Sequence, residues 1–182
     1  MADKACHVVG SATQVGLTQV LGRMDTIAAN GRMRKRELTL SQYILRRNGV
    51  PAGARGSLRN MFQRSLGAPT FAGFWRHWNP VFGYGLGRYV FAPLKLAVPS
   101  ALALVATFVV CGAIHDLVTM AVRWAPAFFF TPWFFFLGVG VLLGRASGLN
   151  LSGRPWPVRA AVNILYVLAC LAITLAIGHF TA

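Results

Sequence analysis

The sequence has few acidic residues and few charged residues of either sign. Among its 182 residues, only four are Asp or Glu against 18 Lys or Arg, and charged residues make up 12% of the chain while hydrophobic residues make up 55%. Soluble domains carry roughly 25% charged residues. The composition therefore argues against an ordinary water-soluble domain and in favour of a membrane protein.

Cysteine is also scarce, and its placement argues against a disulfide framework. Cys6, Cys111 and Cys170 are odd in number, and the last two lie inside apolar runs, where cysteine behaves as a small apolar residue. A secretory signal is not visible either, because the N-terminus opens with Asp3 and Lys4 and has no apolar h-region. Insertion into a membrane must rely on later segments.

Long apolar runs are missing from the first half of the chain and abundant in the second. Each run is close to the ~20 residues that a helix needs to cross a bilayer. The pattern predicts an all-α, polytopic helical membrane protein with about three C-terminal transmembrane helices, at residues 100–120, 126–143 and 160–180. We expect two parts, a basic cytoplasmic or interfacial amphipathic region at 1–56 and a membrane domain at 57–182.

The basic residues are concentrated before the apolar runs. Fourteen of the 18 Lys and Arg residues lie between Lys4 and Lys95, and cytoplasmic loops carry such an excess. The rule predicts a multi-pass protein of the cytoplasmic (inner) membrane with its N-terminus and the loop containing Arg145 inside, Arg123 outside and the C-terminus on the opposite side. Anionic membrane lipids are the expected partners of this charge, and nucleic acid is not.

Three shorter patterns organise the first half. Apolar residues at helical spacing predict an amphipathic helix at 13–29, and the Gly/Pro-rich stretch 48–53 predicts a loop. Residues 55–64 alternate apolar residues and Arg, which is typical of a cationic helix at a membrane interface, with a solvated helix face as the alternative.

One histidine in the first apolar run calls for a physical reason. A stripe of small and polar residues at spacings of three and four runs along this helix and consists of Thr107, Cys111, Gly112, His115 and Thr119. An ionisable group inside a bilayer is costly unless it faces a cavity or a partner, so His115 is a functional candidate. A hydrogen bond between helices is the alternative. Asp116 points about 100° away from His115, so we expect it to face a polar cavity or another helix.

The stretch Phe74-Trp75-Arg76-His77-Trp78-Asn79-Pro80, followed by Gly112-Ala113-Ile114-His115-Asp116, resembles the signature of the membrane-bound O-acyltransferase (MBOAT) family. In that family an aromatic and basic motif ending in Asn or His precedes a helix with a catalytic histidine. Ser57-Leu58-Arg59 and the segment 89–94 are similar to the wax-synthase-type and bacterial branches. The resemblance covers about residues 57–120.

The resemblance implies acyl transfer from a thioester donor to a hydroxyl acceptor. A neutral His115 would accept the proton of the attacking hydroxyl, and Asn79 would orient the hydroxyl or the acyl carbonyl. The further candidates for substrate binding are Trp75, Arg76, Trp78, Arg88 and Cys111. The two arginines would hold the phosphates of a coenzyme A or carrier-bound phosphopantetheine thioester, or else lipid headgroups. Acyl-CoA or an acyl-carrier thioester is the expected co-substrate, without a bound cofactor or metal.

A run of phenylalanines allows two interpretations. It could line an acyl tunnel, although lipid contact or helix packing is the more common role of such residues. Its members are Phe128, Phe129, Phe130, Phe134, Phe135 and Phe136.

Two other functional classes stay open at this point. Full members of the family are usually longer, which favours a homo-oligomer, partner membrane subunits, or a noncatalytic membrane subunit that scaffolds a larger complex. A haem or pigment protein would use His115 or His179 as an axial ligand, although His179 also fits a residue at the headgroup level.

Overall fold

A computed structural model of the protein describes residues 38–126 and 128–181, and all regular elements among them are helical. The chain divides into two units, Met1–Leu38 and Thr39–Ala182, and the description below concerns the second. The amphipathic helix expected at 13–29 lies outside the described residues. The expected division of the chain near residue 56 stays a prediction.

Short helices precede three longer ones. The short elements are α1 (Leu40–Asn48), α2 (Ser57–Leu66), α3 (Phe71–His77), α4 (Pro80–Leu86), a π-helical turn (Gly87–Phe91) and α5 (Ala92–Ala97), and the longer helices are α6 (Ser100–Arg123), α7 (Phe130–Ala146) and α8 (Trp156–Thr181).

Local chemistry sets the ends of α1. Thr39 and Gln42 form a capping box at its start, each side chain bonding to the other residue's backbone N–H. Gly49 ends the helix in the left-handed conformation with φ 84°, which glycine adopts at little cost. The predicted loop at 48–53 therefore follows directly after α1, and a helix covers most of the predicted stretch 55–64.

Two helices, α6 and α8, are long and apolar enough to cross a membrane. The third expected span is not confirmed, because α7 has 17 residues and covers only about 26 Å, less than the ~30 Å hydrocarbon layer. The apolar run begins near residue 126, but α6 ends at Trp124 in a left-handed conformation with φ 53°, and α7 begins only at Phe130.

The core lies where α3 meets α7 and α8. Its buried members include Phe71, Phe74, Leu137, Val141 and Cys170. The outer faces of the two long helices are apolar but uncovered by protein: Leu117 on α6 is 65% exposed and Leu165 on α8 is 61% exposed. Apolar surface of this extent is typical of contact with lipid.

Hydrogen bonds hold the beginning of α8 against the end of α2 and the turn that follows it. The amide Nδ2 of buried Asn163 donates to the carbonyl oxygens of Leu66 and Ala68, both at 2.9 Å. The indole N–H of Trp156 donates to the Gln63 carbonyl at 2.9 Å. These bonds satisfy polar groups that would be costly to leave unpaired away from water.

Candidate active site

The aromatic motif ends in a strained residue that begins the next helix. Asn79 has φ 38°, a left-handed conformation that is uncommon outside glycine and that Asn tolerates best. Its Oδ1 accepts a hydrogen bond from the Phe82 backbone N–H at 3.2 Å, while Pro80 occupies the first turn of α4, where it needs no donor partner. Within the described part of the chain the Nδ2 amide of Asn79 makes no hydrogen bond, so this donor is available.

A wide turn follows in the same helical segment. Pro93 has no N–H to donate to the carbonyl of Tyr89, and its ring crowds that carbonyl. The chain accommodates this loss by widening into the π turn Gly87–Phe91. Such turns occur frequently at functional sites, and here both of its end residues line a cavity.

The imidazole of His115 is oriented by its own helix. Its Nδ1 lies 2.8 Å from the Cys111 carbonyl oxygen. Because a carbonyl can only accept, Nδ1 carries the hydrogen, and Nε2 of the neutral ring has a free lone pair. The geometry therefore selects the tautomer in which Nε2 is the basic nitrogen.

Three phenylalanine rings surround this imidazole. Phe134 stacks on it with ring centroids 5.0 Å apart, and Phe130, one turn earlier on α7, lies at 5.5 Å. Phe82 from α4 meets it edge to face at 5.8 Å. Since all three are bulky and rigid, they restrict the positions that the imidazole can occupy.

His115 opens into a cavity of about 320 Å³ with a mostly apolar wall. The cavity follows α6 from His115 to Leu104, about 16 Å by helix rise. Arg145, at the far end of α7, is the only Lys, Arg, Asp or Glu in the described lining. The lining comprises Trp75, Trp78, Asn79, Phe82, Gly83, Leu86, Gly87, Phe91, Leu104, Thr107, Phe108, Cys111, His115, Phe134 and Arg145.

Five of the seven site residues proposed from the sequence meet in this cavity, namely Trp75, Trp78, Asn79, Cys111 and His115. The two arginines proposed for phosphate binding do not line it. Arg76 is exposed, and Arg88 donates from Nη1 to the Tyr84 hydroxyl at 2.9 Å. Their roles stay predictions.

Arg145 was not found from the sequence. Its position at the cavity depends on α7 running antiparallel to α6, which brings the last turn of α7 beside the first turns of α6. Its place in the loop between the last two apolar runs was the only available signal.

Of the two surroundings predicted for Asp116, a polar cavity and another helix, the structure shows the second. Its Oδ1 accepts from the backbone N–H groups of Phe129 at 3.0 Å and Phe130 at 2.8 Å. Its Oδ2 accepts from the Thr131 backbone N–H at 2.8 Å and from the Thr131 hydroxyl at 2.6 Å. The carboxylate is 2% exposed and serves as the missing N-cap of α7.

Four of the six phenylalanines in the run line one of two cavities, and Phe130 and Phe135 line neither. Phe134 lines the His115 cavity, whereas Phe128, Phe129 and Phe136 line a second one of about 400 Å³ together with His179. Among residues 38–126 and 128–181, no group of three His, Cys, Asp or Glu side chains could hold a metal ion.

These features define a membrane-associated helical protein with a histidine in an apolar cavity. The family profile of MBOAT, the membrane-bound O-acyltransferases, matches residues 52–178, more than two thirds of the chain. The chain belongs to this family, and the resemblance inferred from its motifs is confirmed over a longer segment than expected. Comparison with curated proteins and with solved structures gives no match.

Proposed function

We propose that the protein transfers an acyl group from a thioester to a hydroxyl acceptor, with His115 as the general base. Family membership suggests this class of reaction. The observation that carries the proposal is the bond from Nδ1–H of His115 to the Cys111 carbonyl, which leaves Nε2 able to accept a proton in the cavity that also contains Asn79.

The reaction needs one proton acceptor and no redox partner. Nε2 of His115 takes the proton of the acceptor hydroxyl while the hydroxyl oxygen attacks the thioester carbonyl carbon. The tetrahedral intermediate then collapses, the carbon–sulfur bond breaks, and the leaving thiolate receives the proton from the imidazolium. An ester and a free thiol result, and the base is regenerated.

Asn79 serves the acyl carbonyl in this scheme. Its Oδ1 is used by the Phe82 backbone, so only the Nδ2 amide is left to act on a substrate. An N–H donor suits the oxygen on which negative charge develops, because a fixed dipole there stabilises the transition state. This supports the role of carbonyl orientation over that of hydroxyl orientation.

The donor enters from the end of the cavity that Arg145 lines. By the positive-inside rule we expect Arg145 and the loop that follows α7 on the cytoplasmic side, where acyl-CoA and acyl-carrier thioesters occur. A guanidinium there matches a phosphate of the donor, while the apolar wall towards His115 receives the acyl or pantetheine chain. Membrane lipids are the medium and one source of hydroxyl acceptors.

The test compares the esters made by cells that express wild-type protein, His115→Gln or Leu117→Ala. Leu117 is on the same helix but 65% exposed, so its truncation controls for damage to α6. We expect lipid extracts analysed by mass spectrometry to contain an ester that depends on wild-type or Leu117→Ala protein and is absent with His115→Gln.

Equal ester profiles for wild-type and His115→Gln, at equal protein levels in the membrane, would contradict the proposal. Stable association with other membrane subunits and no His115-dependent ester would instead indicate a noncatalytic subunit.

A further inference from the structure

The start of α7 has no cap of its own. Its N-cap residue, Phe129, supplies no side-chain hydrogen bond, and its first helical residues are Phe130 and Thr131. Free N–H groups at a helix start need partners, and the need is greatest where water is absent. Asp116 of α6 satisfies three of these N–H groups and the Thr131 hydroxyl with one carboxylate.

Charge strengthens this joint. A carboxylate at a helix N-terminus interacts favourably with the helix dipole, and hydrogen bonds to an ionised acceptor are stronger than neutral ones. Asp116 is also the only acidic residue between 38 and 182. Its four hydrogen bonds all come from the start of α7, and it forms no ion pair with a basic side chain among the described residues.

The two helices are in close contact at the same level. Gly112 lies one turn before Asp116 on the same face of α6, and a Cβ atom added there would lie 2.6 Å from the Phe130 carbonyl oxygen. Backbones this close leave no room for a side chain. Gly112 allows α6 and α7 to approach each other, and the Asp116 carboxylate fixes the position of α7 along α6.

The position of α7 along α6 determines the position of the phenylalanine rings that contact the imidazole. Phe130 donates a hydrogen bond from its backbone N–H to the Asp116 carboxylate and contacts the His115 ring through its side chain. Phe134, one turn further, stacks on the same ring. A sliding or fraying of the α7 start would therefore displace two of the three rings that confine the imidazole.

We infer that Asp116 is a positioning residue for His115: by capping α7 across the helix interface it sets the phenylalanine wall that holds the imidazole. It acts through α7 and does not contact the substrate. The kinetic part of this inference rests on the proposed function, whereas the structural part can be measured without any substrate.

The test compares Thr131→Val, Asp116→Asn and Asp116→Ala with Asn163→Ala as a control. Thr131→Val removes one of the four hydrogen bonds of the carboxylate, Asp116→Asn removes some of them and Asp116→Ala removes all of them. Asn163→Ala removes two bonds from a buried joint elsewhere on the molecule, so it reports a general loss of stability. All variants are measured as full-length protein in detergent and in proteoliposomes.

The first readout is the proton resonance of the His115 ring in protein labelled with ¹³C-histidine, assigned with His115→Gln. Stacking on Phe134 shifts this resonance by a ring current. We expect the shift to shrink progressively from Thr131→Val to Asp116→Ala, and to be unchanged in Asn163→Ala. A resonance unchanged in both Asp116 variants overturns the inference, whether or not the protein has activity.

The second readout is transfer from palmitoyl-CoA to hexadecanol in proteoliposomes. A misplaced base lowers kcat by as much as about 100-fold while donor binding, and with it KM, stays within about twofold. An equal kcat loss in Asn163→Ala, scaling only with the fraction of folded protein, also overturns the inference. If wild-type protein transfers nothing with this pair while the resonances change as expected, the proposed function loses support and the positioning role stands.

Discussion

At the scale of single residues, the His115 and Asn79 side chains each use one polar atom in a hydrogen bond within the protein and leave the other polar atom for a substrate. Nδ1 of His115 is used by the Cys111 carbonyl and Oδ1 of Asn79 by the Phe82 N–H. The atoms left for a substrate are Nε2 of the histidine, which has a lone pair, and Nδ2 of the asparagine, which has N–H groups to donate. An acyl transfer needs that pair, one to remove a proton and one to stabilise the oxygen that gains charge.

Asn79→Asp separates the two tasks of Asn79. Asp keeps an oxygen to cap α4 and tolerates a positive φ, but it has no Nδ2 donor and brings a negative charge to the carbonyl. We expect kcat for acyl transfer to fall about 100-fold or more with little change in the thermal unfolding midpoint. Asn79→Ala, which also loses the cap, should lower both.

Kinetics and a thermal melt on the same preparations check this. A fully active Asn79→Asp protein would show that the asparagine only caps the helix.

At the scale of elements, the antiparallel pair α6 and α7 sets the length of the cavity. His115 lies near the start of α7, and Arg145 lies in its last turn, beside the first turns of α6. The two ends of one short helix therefore lie beside two lining residues of the cavity, His115 and Arg145. Along α6, the lining residues His115 and Leu104 are about 16 Å apart by helix rise.

Arg145→Gln should weaken donor binding without affecting chemistry. Loss of one charge-assisted bond to a phosphate raises KM for palmitoyl-CoA about tenfold or more, while kcat is unchanged. Arg154→Gln is the matched control, because this exposed arginine belongs to the same basic loop region but is not part of the described cavity lining. The same KM for both variants would argue against an anchor at Arg145.

Sequence patterns predicted some of these elements and not others. Helical spacing predicted that Asp116 points away from His115, towards a polar cavity or another helix, since the direction depends only on 3.6 residues per turn. The start of α7 did not follow from the apolar run, because it is defined by four hydrogen bonds that its residues donate to Asp116, 13 to 15 positions earlier in the chain. The position of Arg145 at the cavity could not be predicted without knowing which helices pack together. The positive φ of Asn79 could not be predicted without the structure of the turn between α3 and α4.

At the scale of the whole molecule, charge balance depends on the surroundings. Asp116 is the only acidic residue between 38 and 182, and its bonds go to backbone and hydroxyl groups of α7. Basic residues of the same segment therefore cannot draw on other carboxylate side chains within it. Anionic lipid headgroups supply such charge at a cytoplasmic membrane surface.

We expect the protein to unfold at a higher temperature in nanodiscs that contain phosphatidylglycerol than in pure phosphatidylcholine. Each Lys or Arg near an anionic surface contributes about 1 kcal/mol, and a ligand that prefers the folded state stabilises it. High salt should remove the difference. Thermal melts at two salt concentrations measure this, and equal midpoints in both lipids at low salt would contradict it.

The way α8 is attached has a consequence for how this protein could diversify. Its early residues are fastened to the turn between α2 and α3 by Asn163 and Trp156, yet none of its described residues lines the His115 cavity. Every lining residue in the described part of the chain lies between Trp75 and Arg145. Substitutions in that segment can therefore change substrate selectivity while α8 keeps its sequence and its attachment to the rest of the protein.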